Sequence, residues 1–310
     1  MAKKVNFIQS ELTKVWLRLT DSSKYLDYKL YLKEQKIIQK YSEIFESVYN
    51  KTKVAIEIKE EINFKHSGHI GDLMYALPVI KEISKTKKCN FYICTNHILG
   101  KKGYYKHPSG NIMISDKVLG MILPLLKNQL YLNKVKKWEN EIIDVDLDLF
   151  RNLPFSNDFH SIRWYYHIVG KQIDMALPYI EVEPSLYFQN KIVIVRTFRG
   201  RNPLINYNFL NKYEDLLFLG TRSEYDDFLK IVPSTIFHDV QDFLELAQIM
   251  KSAKLVISNQ TFAFSVAEGL KVNRILEANP YIPAVFPIGG NGVDFYFQDQ
   301  FENQVKEMIS

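Results

Sequence analysis

The sequence has few cysteines and no long hydrophobic runs. Cys89 and Cys94 are the only cysteines, so there is no second pair to complete a four-cysteine zinc set or a disulfide framework. No apolar run is as long as a membrane-spanning helix, and no apolar core follows the first residues as it would in a signal peptide. These absences predict a cytoplasmic protein, and they leave peripheral contact with the inner face of the membrane open.

The chain also lacks a large excess of either charge, since it has 40 Lys and Arg against 35 Asp and Glu, a net charge of +5. So modest a positive charge would suit an anionic small ligand or a nucleic acid. No basic stripe with interleaved aromatic residues is present, which disfavours the nucleic acid. With 310 residues, 46% of them hydrophobic, the chain can bury two cores, and we expect two α/β domains.

The first 53 residues are expected to form a helical extension, because apolar residues recur near its end at helical spacing. These residues are Ile37, Ile38, Tyr41, Ile44, Phe45 and Val48. We interpret this stripe as a face docked against the next domain in preference to a membrane anchor. A region with Pro178 and Pro184 serves as the linker in the predicted organisation, which has domains at 54–186 and 187–310.

A strand, a glycine-bearing turn and a helix start are predicted in succession early in the first domain. Residues 56–64 can supply one or two strands, and residues 73–83 a helix. Between them, Gly68 and Gly71 would let a ligand approach the backbone. Asp72 falls in the first turn of the helix beside unpaired N–H groups. It can therefore be a helix cap or a functional carboxylate.

An acidic segment lies further along the same domain. Residues 144–149 alternate between aspartate and aliphatic residues, which predicts a half-exposed strand. Asp144 and Asp146 also have the Asp-x-Asp spacing at which carboxylates can hold a divalent metal, since oxygen ligands suit hard cations. Any amphipathic acidic strand generates the same spacing. The metal hypothesis therefore stays an alternative to a structural strand.

Two further features of the first domain carry positive or titratable groups. Residues 100–111 form a predicted basic surface loop. His160, Arg163 and His167 share one face of a predicted helix at i, i+3, i+7 spacing. These three side chains are either surface residues or the lining of a cleft.

The second domain is predicted to begin with a buried parallel strand at residues 192–195, which is continuously apolar. Arg196, Thr197 and Arg199 follow directly. Guanidinium groups just beyond a parallel strand can bind phosphate oxygens in a bidentate manner. An ordinary basic surface loop is the alternative interpretation.

Strands and helices then alternate to the end of the second domain. The predicted strands are 216–220, 235–238, 255–257 and 274–277, and the predicted helices are 221–231, 243–250 and 261–270. Short links between alternating elements predict a doubly wound parallel sheet. The helix starts at Thr221 and Thr261 would direct partial positive charge at the same edge of that sheet, where an anion is favoured.

Five blocks in this order resemble the bacterial heptosyltransferase family, glycosyltransferase family 9, whose members build lipopolysaccharide. They are 71–78 with Gly-Asp-Leu and Leu-Pro, the arginine-bearing strand end, 219–224, 243–247, and 258–267 with Ser-Asn-Gln-Thr. The resemblance covers residues 60–290. It implies an α/β fold of the GT-B type, with two Rossmann-like domains facing a cleft. It also implies inverting transfer from a nucleotide-diphosphate sugar to a saccharide or glycolipid hydroxyl.

The resemblance and the residue patterns together assign roles to individual positions. Asp72 is expected to be the general base. The expected acceptor-side residues are His66, Gly68, His69, Gly71, His160 and Arg163. The expected donor-binding residues are Arg196, Thr197, Arg199, Gly220, Thr221, Asn259, Gln260, Thr261 and Glu268, with Glu268 on the ribose hydroxyls. No metal and no cofactor beyond the sugar donor are expected.

Departures from the family pattern occur in the last block. Family members have Asp-Ser/Thr-Gly after the asparagine and a histidine on the next helix, where this chain has Gln260, Thr261, Phe262 and then Ser265. We expect Phe262 to crowd a backbone that must approach phosphate. Two alternatives therefore remain, a metal-dependent glycosyltransferase using Asp144 and Asp146 and a non-catalytic binding protein with the GT-B fold.

Overall fold

The computed structural model describes residues 7–42, 46–98, 112–152, 160–279 and 285–310. The predicted basic loop at 100–111 lies outside these ranges, as do Ile44 and Phe45 of the helical stripe. Within them, no helix combines the length and the apolar character needed to cross a membrane.

Three helices precede the first strand. They are α1 (Phe7–Thr20), α2 (Ser22–Lys40) and α3 (Glu46–Ile58). Asp21 separates α1 from α2, and its carboxylate caps α2 by accepting a hydrogen bond from the Lys24 N–H at 3.1 Å. Because α3 continues to Ile58, the strand predicted from residue 56 begins only at Glu61.

The predicted docking of the helical stripe against the next domain is wrong over α2. Ile37, Ile38 and Tyr41 are exposed, because α2 packs against α1 through its other face. Of the stripe residues that the structure describes, only Val48, on α3, packs against the core of the following domain.

The first sheet is parallel, with strand order β3-β2-β1-β4. Its elements are β1 (Glu61–His66), α4 (Ile70–Ser84), β2 (Lys88–Ile93), α5 (Asp116–Lys127), β3 (Lys134–Lys137) and β4 (Val145–Asp146), followed by α6 (Ser161–Val169). The predicted acidic strand is only two residues long. A 3₁₀ helix, Leu147–Asn152, replaces its second half, because the Asp146 carboxylate accepts the Asp148 N–H at 3.0 Å and turns the chain.

The second sheet is parallel too, with strand order β10-β9-β8-β5-β6-β7, which confirms the predicted doubly wound arrangement. Its elements are β5 (Ile192–Val195), β6 (Leu216–Leu219), α7 (Arg222–Leu229), β7 (Ile236–His238), α8 (Phe243–Ser252), β8 (Leu255–Asn259), α9 (Phe262–Leu270), β9 (Arg274–Glu277), β10 (Gly292–Phe295) and α10 (Gln298–Ile309). The sequence analysis did not predict β10 and α10. Strands β5 and β8 are neighbours, so the loops that follow them meet at one edge of the sheet.

Two apolar clusters are present, as the expectation of two cores requires, but the first of them runs through both domains. It joins the first sheet and helices α4, α5 and α6 to helices α8 and α9 and to one face of the second sheet. Helix α4 packs on α9 and α5 on α8, so apolar helix faces from the two domains cover each other. A second cluster fills the opposite face of the second sheet beneath α7 and α10.

Candidate functional site

The turn after β1 is built around a buried histidine. His66 Nδ1 accepts the Gly68 N–H at 2.8 Å, so the ring proton is on Nε2, which donates to the Tyr165 hydroxyl oxygen at 2.8 Å. Burial lowers the pKa of His66 to about 4, and the imidazole is therefore neutral at pH 7. His66 shapes this turn from the interior, and the structure does not bring it to an acceptor as predicted.

Asp72 is the third residue of α4 and its side chain is half-buried. This burial raises the pKa of its carboxyl group to about 6, although the positive charges of Arg151 and Arg199 act in the opposite direction. His69 begins the helix, and its side chain does not cap it. Asp72 is thus a carboxylate that titrates near neutral pH, which suits a general base.

The sequence analysis missed two residues beside Asp72. Asp148 accepts hydrogen bonds from the Ser67 N–H at 3.0 Å, the Ser67 hydroxyl at 2.6 Å and Arg151 Nη1 at 2.6 Å. Burial alone would raise the pKa of Asp148, but His66, Arg151 and Ser67 together lower it to about 2. β1 and β4 are parallel neighbours, which brings the residues after both strands together, and no pattern in the sequence shows this pairing.

Arg151 and Asp72 converge over Gly68. A Cβ atom at Gly68 would collide with Arg151 Nη2 and would lie 3.2 Å from Asp72 Oδ2. The guanidinium lies 4.4 Å from the centre of the Phe150 ring, and its Nη2 is buried without a hydrogen-bond partner among the described residues. The missing side chain at Gly68 is therefore what lets a positive group approach the carboxylate.

The acidic segment is arranged for ion pairs with lysines. Asp144 pairs with Lys59 and accepts the Asn63 N–H at 2.9 Å, while Asp146 pairs with Lys65 at 2.8 Å. No group of three or more His, Cys, Asp or Glu side chains in the described ranges is placed to hold a metal ion. These carboxylates are neutralised by ammonium groups and are not grouped as a cation site.

The predicted shared face of His160, Arg163 and His167 is not observed. His160 is the N-cap of α6 and is buried; its Nδ1 accepts the Ile162 N–H, so its Nε2 donates to the Phe286 carbonyl at 2.9 Å. Arg163 and His167 are exposed on the opposite side. An N-cap has non-helical backbone angles, so counting from it along the helix misplaces the face.

On the second domain, Arg196 is not available for phosphate. Its guanidinium is buried and donates to Glu277 at 2.8 and 3.0 Å, over the face of the Tyr207 ring. Glu277 is itself fully buried and also accepts the Asn202 N–H and the Tyr207 hydroxyl. A buried carboxylate needs a charged partner, and Arg196 supplies it.

The loop after β5 is held by Asn259 and presents Arg199. Asn259 is buried; its amide oxygen accepts the Thr197 N–H at 3.1 Å, and its amide nitrogen donates to the Thr197 and Arg199 carbonyls at 3.0 and 2.9 Å. It therefore holds the backbone of this loop from the interior. The Arg199 side chain is exposed and forms no ion pair with the described residues, and Gly200 has a φ of +76° that turns the chain back.

At the N-terminus of α7, the carboxylate of Glu224 already supplies a negative charge. Glu224 forms a capping box with Thr221, accepting the Thr221 N–H at 3.0 Å, and its other oxygen accepts the Phe198 N–H at 3.4 Å. Gly220 has a φ of +156°, and a side chain there would press on Phe218. The Glu224 carboxylate therefore already accepts an N–H at the helix start where an anion was predicted, and the donor roles of Gly220 and Thr221 stay a prediction.

The start of α9 is different, because no side chain of the described residues caps it. Thr261 is its N-cap without a side-chain capping bond, and Gln260 and Thr261 are partly exposed. The Phe262 ring packs against Phe243 with centroids 4.5 Å apart, so it does not crowd the backbone as expected. This terminus lies beside the Arg199 loop, where a Cβ at Gly200 would be 3.9 Å from the Gln260 carbonyl oxygen.

The two domains bring the ends of α4 and α9 together. A Cβ on Gly71 would lie 4.0 Å from the Phe262 Cα and 3.9 Å from the Ser265 hydroxyl oxygen. Asp72 is thus on one side of the cleft, and Arg199 and the first turn of α9 are on the other.

Glu268 is not on the cleft. It is fully buried and pairs with Arg274 at 2.6 Å and with Lys271, and it accepts the Ile288 N–H at 3.2 Å. It fixes the end of α9 to the segment before β10, so neither the predicted ribose contact nor a solvent-facing position is observed.

Two parallel-sheet α/β domains joined across a cleft define the GT-B fold, as predicted. The chain has the fold of the heptosyltransferases. It is similar to E. coli heptosyltransferase WaaC with ADP-2-deoxy-2-fluoro heptose, with a TM-score of 0.54 at 10% identity, covering 80% of this chain and 98% of that one. It is also similar to the glycosyl transferase family 9 structure from Veillonella parvula, with a TM-score of 0.52 at 13% identity, covering 80% of this chain and 89% of that one. No protein-family model and no curated protein sequence matches the chain.

Proposed function

We propose that this protein is an inverting glycosyltransferase that moves a sugar from a nucleotide-diphosphate sugar to a hydroxyl of a saccharide or glycolipid acceptor. One observation carries the proposal. A carboxylate with a pKa of about 6, Asp72, faces Arg199 and the uncapped start of α9 across the cleft. The similar WaaC structures hold ADP or an analogue of ADP-heptose, which supports a nucleotide diphosphate as the leaving group.

Asp72 provides the base in this mechanism. Its carboxylate accepts the proton of the acceptor hydroxyl while that oxygen attacks the anomeric carbon. The bond from the anomeric carbon to the diphosphate oxygen breaks on the opposite face of the sugar, so the configuration is inverted. A base with a pKa near 6 is mostly ionised at neutral pH and still basic enough to assist the attack.

Arg199 and the first turn of α9 provide the leaving-group site. Negative charge grows on the diphosphate as the glycosidic bond breaks. The uncapped N–H groups of a helix start and an unpaired guanidinium both stabilise such charge, and they are in place before the reaction begins. Asn259 contributes indirectly by fixing the backbone that carries Arg199.

A panel of nucleotide-diphosphate sugars tests the proposal. We expect at least one donor to raise the melting temperature, and the same donor to release its nucleoside diphosphate slowly with water as the acceptor. Stabilisation without release would favour the alternative of a non-catalytic binding protein. Absence of both effects across the panel would contradict a donor site in this cleft.

Activity is expected to be independent of divalent metals, since Asp144 and Asp146 are engaged by Lys59 and Lys65, and Arg199 with α9 can neutralise a diphosphate. The rate of nucleoside diphosphate release should be the same after chelation and after addition of Mn²⁺ or Mg²⁺. If chelation abolishes release and Mn²⁺ restores it, the metal-dependent alternative would take precedence.

Arg151→Gln is expected to move the acidic limb of the pH–rate profile to higher pH. Removing the positive charge next to Asp72 raises the pKa of the base, so more of it is protonated at pH 6. The rate at pH 6 relative to pH 8 should fall by about 3- to 5-fold. Arg18→Gln, an exposed arginine of α1, is the matched control and should leave the profile unchanged. If the acidic limb of the pH–rate profile does not move in Arg151→Gln, then Arg151 does not lower the pKa of the base.

A further inference from the structure

Helix α1 exposes an apolar stripe along one side. Leu12, Val15, Trp16 and Leu19 recur at i, i+3, i+4 and i+7, and they are between 59% and 82% exposed. The opposite side of the helix is already covered, since Leu17 is buried. A surface helix normally turns polar residues to the solvent when its other face is packed. This helix is apolar on both sides.

Helix α2 carries a row of positive charge. Lys29, Lys33, Lys36 and Lys40 recur at i, i+4, i+7 and i+11, so they share one face, and all four are exposed. None of them forms an ion pair within the described ranges. At 100° per residue, the exposed Leu26, Leu30 and Ile37 lie directly beside this row, and the acidic Asp27 and Glu34 lie beyond them on the far side.

The charge of the whole protein is concentrated in this part of the sequence. Residues 1–40 contain nine Lys or Arg and four Asp or Glu, a net charge of +5. The complete chain also has a net charge of +5, so residues 41–310 are neutral overall. Residues 7–40, which form α1 and α2, contain seven Lys or Arg and four Asp or Glu, a net charge of +3, so more than half of the excess positive charge is carried by the two helices with the exposed apolar residues.

We propose that the α1–α2 hairpin (Phe7–Lys40) docks on an anionic lipid bilayer. Protein–protein interfaces are depleted in lysine, whereas helices that lie in a bilayer interface combine Trp and Leu with Lys and Arg. The apolar stripe would enter the boundary between headgroups and acyl chains. The lysine row would lie among anionic headgroups, which attract basic side chains near the surface. This surface is separate from the cleft, so the proposal does not depend on the proposed function.

Vesicle co-sedimentation of the full chain tests this proposal. We expect binding to phosphatidylcholine vesicles that contain about 30% phosphatidylglycerol, and at least tenfold weaker binding to pure phosphatidylcholine. Raising the salt from about 0.1 M to about 0.5 M should weaken binding by a similar factor, because it screens exposed charges. No binding to the anionic vesicles, or equal binding to both kinds, would overturn the proposal.

Two sets of variants separate the hairpin from the rest of the surface. Replacing Lys29, Lys33, Lys36 and Lys40 with Gln should reduce anionic vesicle binding at least tenfold, as should Trp16→Ser combined with Leu19→Ser. The charge-matched control replaces the exposed lysines Lys117, Lys127, Lys251 and Lys254 with Gln and should retain binding. Equal loss in the control would overturn the proposal. A protein that does not bind vesicles, is a dimer by light scattering and becomes a monomer in Trp16→Ser with Leu19→Ser would also overturn the proposal.

Discussion

Asp72→Asn is expected to slow the release of nucleoside diphosphate from the sugar donor by about 10²- to 10⁴-fold, while donor affinity stays close to that of the unmodified protein. An amide cannot accept a proton from a hydroxyl near neutral pH, so the chemical step loses its base. The donor contacts lie on the other domain and remain in place. Single-turnover release and donor titration on the same preparation measure the two quantities separately.

The stability of Asp72→Asn provides an independent readout. Because the pKa of Asp72 is about 6 in the folded protein and 3.8 for an unperturbed aspartate, the folded state binds more protons than the unfolded state between these values. Ionising Asp72 therefore destabilises the fold as the pH rises from about 4 to 6, by at most about 3 kcal/mol and by less where water screens the carboxylate. Asparagine removes this loss, so the variant should melt at the same or a higher temperature at pH 7.

A role as a helix cap predicts the opposite pattern. Asn would then cost up to about 1 kcal/mol in stability, and it would leave the rate unchanged. Release at a near-native rate with a lower melting temperature would reduce Asp72 to a cap. A lower rate with unchanged or higher stability identifies a residue retained for chemistry.

Arg199→Ala is expected to weaken donor binding by about 1.5 to 3 kcal/mol, or about 10- to 150-fold, since one charge-assisted contact to the diphosphate is lost. The binding of the unmodified protein should weaken with added salt, and the variant should depend less on salt. Isothermal titration with the donor selected from the panel measures both effects. Arg222→Ala is the control, because Arg222 is exposed on the same domain and pairs with Asp226.

Arg196→Ala should behave differently from Arg199→Ala. Removing Arg196 leaves Glu277 buried without its charged partner, so the main effect should be a loss of about 3 to 5 kcal/mol in folding stability. Unchanged donor affinity in Arg199→Ala would move the donor away from this loop. A stable Arg196→Ala protein with weak donor binding would restore the phosphate role predicted from the sequence.

Much of the fold could be predicted because local signals agreed with the tertiary structure. The apolar run at residues 192–195 can only be a strand buried on both faces, and α9 follows a strand and a polar N-cap at Thr261. The parallel alternation from residue 216 onward followed from the same pattern. Asp72 could be singled out as a candidate because a carboxylate in the first turn of a helix, after a glycine-bearing turn, is visible in the sequence.

The errors at the site concern charges whose partners are distant in the sequence. Arg196 pairs with Glu277, 81 residues away, and Arg151 approaches Asp72 only because β1 and β4 are neighbours. The sequence alone shows that a charged residue follows a strand, but it does not show whether that residue is already paired with a buried residue of opposite charge. Glu268 was misplaced for the same reason, since Arg274 and Lys271 hold it in the interior.

The single apolar cluster that runs through both domains limits how the protein can move. Rotating one domain away from the other would separate α4 from α9 and α5 from α8, and would expose apolar surface at a cost of about 25 cal/mol per Å². A wide hinge opening of even a few hundred Å² would consume much of the stability of an ordinary domain. We therefore expect the two domains to keep their relative orientation when a ligand binds. We also expect the two sheets to unfold together on heating, as one cooperative unit.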